Sequence, residues 1–227
     1  MPKTFILSLG GSLLAPPSGV DWQFLKKFRR LILDQAKSGN KFFIITGGGT
    51  TCRAYQKAAA HIMKTTTRDR DWIGIYTTHF HAHFLRILFG PAAHPAIITD
   101  PTKKQILKKN IILGAGWQPG CSTDKDAVLL AKTYNIKTII NLTNIDYAYD
   151  KNPKKFKNAK RIIKTSWPDF CKIVGNKWQP GLNAPFDPVA SRLASQLGLK
   201  VIILNGHNIA NLKSCFAGKT FKGTTIE

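Results

Sequence analysis

The chain has 227 residues, 43% of them hydrophobic, and carries 34 Lys and Arg against 12 Asp and Glu, a formal charge of +22. Its apolar residues recur in compact runs, which excludes a disordered chain and supplies one sizeable core. No run approaches the roughly 20 apolar residues of a membrane span. The stretch 5–9 is too short for a signal-peptide core, and Cys52, Cys121, Cys171 and Cys215 form no C-x-x-C pair. The expectation is therefore a cytoplasmic protein with free thiols, not a zinc ribbon or a disulfide scaffold.

Residues 3–9 form an apolar run of strand character that ends at Gly10-Gly11-Ser12. Trp22, Leu25, Phe28, Leu31 and Leu33 recur at near-helical spacing and predict a helix over 22–36, stopped by Gly39-Asn40. Residues 41–46 predict a second strand, which runs into Gly47-Gly48-Gly49. Helices follow over 50–63 and 73–89, the latter stopped by Gly90-Pro91. Short strands are predicted at 95–99 and 110–113, then a loop over 114–123 and a helix over 124–134. A buried strand at 137–142 leads into the polar loop 143–153. The C-terminal part gives a helix over 187–197 with Pro188 in its first turn, a strand at 200–204, a helix at 210–216 and a last edge strand at 223–226. Strands alternating with helices predict an α/β fold: a three-layer αβα sandwich with a mostly parallel central sheet. No internal repeat or linker divides it, so residues 1–227 are one domain, with two halves meeting near Tyr134.

Only one acidic residue is a glutamate, Glu227. Aspartates 124, 126, 146, 150 and 187 sit among Gly, Asn and Thr in predicted turns, where catalytic or metal-handling carboxylates belong and where Asp also serves as a cap. Residues 151–164 hold seven Lys or Arg and no acid. That run admits nucleic-acid binding. With no RNA-binding aromatic signature and no zinc-finger spacing, a solvated basic face or the steering of anionic nucleotides explains it with fewer assumptions.

Three strands run into glycine-rich loops, and ligands of open α/β sheets bind beyond the carboxyl ends of the strands. Glycine lets backbone N–H groups approach an anion, and a helix start adds partial positive charge. Neither Gly10-Gly11-Ser12 nor Gly47-Gly48-Gly49 fits the P-loop or dinucleotide spacing. A third loop, containing Gly114 and Gly116, continues as Pro119-Gly120-Cys121-Ser122-Thr123-Asp124 and brings hydroxyls and a carboxylate to a helix start.

Taken in order, these segments resemble the amino-acid kinase family and, within it, the archaeal-type uridylate kinases. The resemblance rests on Leu7-Ser8-Leu9-Gly10-Gly11-Ser12, Ile45-Thr46-Gly47-Gly48-Gly49 with Arg53, and the 119–124 segment. Thr143-Asn144-Ile145-Asp146 with Tyr149 and Pro153, Pro185-Phe186-Asp187-Pro188 and the closing 222–226 segment extend it over nearly the whole chain. It implies a kinase that uses ATP and Mg2+ to convert UMP to UDP, with residues 1–134 as the acceptor lobe and 135–227 as the ATP lobe. Gly10, Gly11 and Ser12 would face the transferred phosphates, with Asp124 beside them. Gly48, Gly49, Arg53, Ser122 and Thr123 would hold UMP. Thr143, Asn144, Tyr149 and Pro153 would line the ATP pocket, Gly10 and Gly11 serving ATP as well. The family also implies a homo-oligomer, a hexamer built from dimers.

Arg53 carries a physical argument of its own, since it lies within the first turn or so of the helix that follows a glycine loop, where a guanidinium can fork onto a phosphate. Four positions depart from the family pattern. Ser8 replaces a lysine common in the wider family. His79 and His81 stand where an arginine and an asparagine are usual, and Tyr147 where a glycine is common. His79 and His83 share a helical face, which admits a metal pair, although substituted helix positions near the acceptor pocket are the simpler reading. His79 is expected to donate to an acceptor phosphate more weakly than arginine. These departures keep two alternatives open: another acceptor such as isopentenyl phosphate, carbamate or an amino-acid carboxylate, and a non-catalytic nucleic-acid-associated homologue.

Overall fold

Strand β1 (Thr4–Leu9) is buried along nearly all its length, and its side chains alternate between two cores. Phe5, Leu7 and Leu9 pack on one face of the sheet and Ile6 on the other. The same alternation marks β2 (Lys41–Thr46), β3 (Ile111–Gly114), β4 (Thr138–Thr143) and β8 (Lys200–Asn205). It produces the expected three layers, because a strand buried on both faces must be covered twice. The first face carries α1 (Gly11–Leu14), α2 (Trp22–Lys37), α4 (Thr67–Phe89) and α8 (Ile209–Phe216). The second carries α5 (Thr123–Tyr134), α6 (Trp167–Val174) and α7 (Pro188–Gln196). Helix α3 (Gly49–Ile62) packs on α1 and α4. The computed structural model describes residues 2–153, 155–175 and 184–227. Lys154 of the basic run lies outside the described residues.

Among the described residues the sheet has seven strands in the order β3-β2-β1-β4-β8-β9-β7, with β9 at Thr224–Ile226 and β7 at Lys164–Thr165. The first five run parallel, so all their carboxyl ends meet at one edge. β9 is antiparallel to β8. The last strand is thus inside the sheet and not at its edge, because the short β7 pairs outside it. Residues 95–99 do not form the expected strand. Only single bridges join Ala93 to Ile111 and Ile98 to Gly114, and Pro95 between them has no N–H to continue a ladder. The polar loop 143–153 contains β5 (Ala148–Tyr149), which pairs with β6 (Arg161–Ile162) in a separate hairpin. Strands of two residues carry no readable alternation. Helix α4 begins at Thr67, six residues before its expected start, because Thr66 and Asp69 form a reciprocal capping box. Gly10-Gly11-Ser12 is likewise not a plain loop, for Gly11 already opens α1.

Candidate functional site

The carboxyl edge of the sheet holds a cleft of about 320 Å³. Its floor is built where two glycine loops leave neighbouring strands. The Gly10 N–H donates to the Leu142 carbonyl at 2.9 Å, and the Gly47 N–H to the Leu9 carbonyl at 2.9 Å. These bonds bring the loops into direct contact. A Cβ on Gly11 would lie 2.4 Å from both the Gly47 carbonyl oxygen and the Gly49 nitrogen. A Cβ on Gly49 would lie 2.2 Å from the Gly11 carbonyl carbon, and its φ of +57° is itself unfavourable for other residues. Glycine is thus required by space at Gly11, and by both space and conformation at Gly49.

Helix α4 covers one side of the cleft. The Thr46 hydroxyl donates to the Thr78 carbonyl at 2.9 Å, and the Thr78 hydroxyl accepts from the Gly116 N–H at 2.8 Å. His81 Nδ1 lies 2.8 Å from the Gly47 carbonyl, and His79 Nε2 lies 2.9 Å from the Gly116 carbonyl. A carbonyl only accepts, so each ring donates at that nitrogen. Burial holds the His81 pKa below its ordinary value, with the Gly47 carbonyl opposing, which keeps the ring neutral. The two histidines are therefore tied to the glycine loops. His79 is not among the residues that line the cleft, and its Nε2 is committed to the Gly116 carbonyl. Among the described residues no group of three His, Cys, Asp or Glu side chains gathers to hold a metal by itself.

The cleft has a cationic end and an acidic end. At the cationic end α3 starts at Gly48 with no side-chain cap and no acid in its first turn, so its free N–H groups and dipole favour an anion. Arg53 lines the cleft from that turn and donates to the Thr50 hydroxyl at 3.2 Å. Arg70, in the first turn of α4, also lines it. Its Nε is buried without a hydrogen-bond partner. Asp71 beside it accepts from the Gly120 N–H at 2.8 Å and so fixes the third loop. At the acidic end Asp124 sits half-buried in the first turn of α5, behind the Ser122 cap. Its Oδ1 accepts from the Ser8 hydroxyl at 2.9 Å and its Oδ2 from the Asp187 N–H at 3.1 Å. Ser8 thus occupies the lysine position as a hydrogen-bond donor to the carboxylate. Burial pushes the Asp124 pKa up to about 6, and the Asp187 carboxylate adds to this. Asp187 caps α7 by accepting from the Ala190 N–H at 2.6 Å, while its Oδ2 is buried without a hydrogen-bond partner. Asp126, just behind the cleft, is raised by burial to about 7 and accepts from the Trp117 N–H at 3.3 Å.

Two crowded carboxylates, one with an orphaned oxygen, are the donor set of a hard divalent cation completed by phosphate oxygens and water. Mg2+ fits that description. The opposite end suits a phosphate monoester.

Gly10, Gly11, Ser12, Gly48, Gly49, Arg53, Ser122, Thr123, Asp124 and Thr143 all line this one cleft. Asn144, Tyr149 and Pro153 do not; they lie on the segment that leads from β4 through β5, with Tyr149 paired to Arg161. Tyr147 lies under the Arg161 guanidinium, 5.4 Å from ring centre to Cζ. Arg70, Asp71, Gln56 and Asn141 also line the cleft without having been singled out in the sequence. The T-x-x-D cap at Thr66 was the available signal for the first two, because it starts α4 early enough to carry them.

A model of the amino acid kinase family matches residues 3–205. The uridylate kinase of Pyrococcus abyssi is 31% identical over 98% of this chain and 98% of its own length. That of Methanospirillum hungatei is 30% identical over 98% of this chain and 94% of its own. Among solved structures, uridylate kinase from Archaeoglobus fulgidus superposes with a TM-score of 0.83 at 28% identity, covering 98% of this chain and 99% of that one. UMP kinase from Bacillus anthracis gives 0.80 at 20% identity over 100% and 97%, a likeness of fold.

Proposed function

The chain belongs to the amino acid kinase family, and from that premise we propose that it transfers the γ-phosphoryl group of ATP to UMP, giving UDP and ADP. The observation that carries this reading is the contact of Gly11 with Gly49, which sets the two phosphate-binding loops back to back at the strand tips. A donor on one loop and an acceptor on the other then meet end to end. An acceptor phosphate oxygen attacks the γ-phosphorus as the bond to the bridging oxygen of ADP breaks. The acceptor phosphate is already ionised, so no general base is required, and catalysis is positioning plus charge neutralisation.

We assign Gly10, Gly11 and Ser12 to the transferred phosphates and Gly48, Gly49 and Arg53 to the UMP phosphate, with Ser122 and Thr123 beside UMP. Arg70 is added as a second guanidinium for the acceptor, since its buried unpartnered Nε needs an anion. Asp124 and Asp187 would hold Mg2+, which when bound offsets the charge of the β- and γ-phosphates. Thr143, Asn144, Tyr149 and Pro153 remain the assignment for ATP, with residues to about 134 serving the acceptor and those beyond it the donor. On the same reading the protein works in the cytoplasm. It is a homo-oligomer, and the family's hexamer is supported by an exposed stripe of Trp72, Tyr76, Phe80 and Ile87 at helical spacing on α4.

The test is a coupled ADP-release assay with purified protein, ATP, Mg2+ and UMP. No turnover of UMP while ATP still binds would sink the acceptor assignment. A second reading keeps the kinase and changes the acceptor. It is favoured by His79, whose ring is committed to Gly116 at a position where the family resemblance implies an arginine. A panel of phosphorylated and carboxylated acceptors in the same assay separates the two. Salt-sensitive RNA binding with no kinase activity would instead favour the nucleic-acid-associated alternative.

A further inference from the structure

The opposite edge of the sheet carries a second cavity, about 500 Å³, lined by Lys41, Lys104 and Lys137 with Phe43, Gln105 and Tyr134. Strand register explains why the lysines converge. Lys41 of β2 lies beside Thr4 of β1, and the pairing of Ile6 with Ile139 sets Thr4 beside Lys137. The three residues therefore form one row across adjacent strands. They share the parity of Phe43, Ile6 and Ile139, which face the α5 layer. Lys41 and Lys137 stand two strand spacings apart, about 10 Å.

The far wall is the segment that carries Lys104. It is fastened to the end of α5 twice: the Gln105 N–H donates to the Tyr134 hydroxyl at 2.9 Å and the Thr133 hydroxyl to the Pro101 carbonyl at 2.7 Å. Tyr134 is in turn packed on Phe43, with ring centres 4.6 Å apart. The hole is thus held open by built contacts. Elsewhere three of the chain's acids pair with lysines: Asp100 with Lys103, Asp169 with Lys172, and Glu227 with both Lys164 and Lys200. Among the described residues neither Lys41, Lys104 nor Lys137 has an ion-pair partner, and no carboxylate lines the cavity.

We propose that this cavity is a second ligand site, distinct from the catalytic cleft, which takes a small molecule bearing two or more phosphate groups. Lys41 is half-buried and Lys104 and Lys137 are exposed at the rim, so one polyanion in the concavity can be reached by all three charges at once. A concave hole with a fixed far wall selects a compact ligand over an extended strand. Strands of six residues put this edge about 20 Å from the glycine loops, so the site is independent of the kinase chemistry.

The experiment uses the full chain and inorganic tripolyphosphate. Lysine acetylation read by mass spectrometry should show Lys41, Lys104 and Lys137 protected together on adding the probe, with Lys26 and Lys27 on α2 unchanged. In titration, Lys41→Gln/Lys104→Gln/Lys137→Gln should lose one saturable site or weaken it by about tenfold or more, with basal kinase activity retained. Absence of selective protection in the wild-type chain overturns the proposal even if the triple variant folds poorly. So does a folded triple variant that binds as the wild type does. Tighter binding and equal protection by a short oligouridylate would overturn the small-molecule form in favour of RNA.

Discussion

Replacing Gly11 by alanine isolates the contact between the two glycine loops. The added Cβ would sit 2.4 Å from the Gly47 carbonyl oxygen and from the Gly49 nitrogen, both backbone atoms. Ordinary contact begins near 3.4 Å. No rotamer can relieve the clash, so the loops must part by about 1 Å. Overpacking of this kind costs about 1–3 kcal/mol of stability, and a misplacement of about 1 Å between reacting groups can cost about 100-fold in rate. The matched control is Gly198→Ala. Gly198 has a φ of +58° but nothing within 4 Å of its Cβ position, so its cost is conformational alone, about 1–2 kcal/mol, or roughly 2–8 °C in Tm. We expect Gly11→Ala to lose about 100-fold in kcat/KM, and Gly198→Ala to lose Tm while keeping its activity. Both are read by the coupled assay and by thermal melting followed by circular dichroism. Gly11→Ala retaining kcat/KM within about threefold would refute the end-to-end placement of donor and acceptor.

Arg70→Ala and Arg53→Ala should each raise the acceptor KM by about 10- to 100-fold, the loss of a charge-assisted hydrogen bond, with ATP affinity nearly unchanged; equal losses for both substrates would contradict the assignment. Without Mg2+ the Asp124 carboxyl should titrate near pH 6, read from its carboxyl carbon shift in NMR, and Asp124→Asn should be inactive with Mg2+ at every pH. Asp126 has a folded pKa raised to about 7 from 3.8, so its native form holds a proton that the unfolded chain releases. Its stabilising contribution is complete below about pH 4 and is lost as pH rises to about 7, by up to about 1.4 kcal/mol per pH unit; Asp126→Asn should flatten that slope in chemical denaturation. His81→Leu leaves the Gly47 carbonyl without its donor and should destabilise by about 1–3 kcal/mol, whereas His81→Asn, which keeps an N–H, should recover most of that loss in the same measurement.

The parallel strands and the three layers were legible because apolar runs alternate with helical segments, and four of the five parallel strands, β4 excepted, stop at glycine. The place of Asp124 in the cleft was legible because a Ser-Thr-Asp run after a glycine loop marks a helix start at the strand tips. Arg70 and Asp71 were not, since hydrophobic periodicity detects α4 only from Ile73 onward and the capping box that extends it is polar. The histidines were legible as positions on one helix, but only the fold reveals that two carbonyls lie within reach of their rings. The hairpin of β5 and β6 rests on two residue pairs, too few for any period to register.

The back-to-back glycines also divide the tolerance of the site to inherited change. Where backbone abuts backbone, no side chain of any kind can be admitted, so the floor is closed to variation. Part of the walls is made of side chains, Arg53 and Gln56 on α3 and Arg70 on α4, that hold no bond to the floor and can be exchanged without moving it. Descendants of such a chain are therefore free to acquire new acceptors by altering one helix at a time, while the geometry of transfer passes unaltered from one to the next.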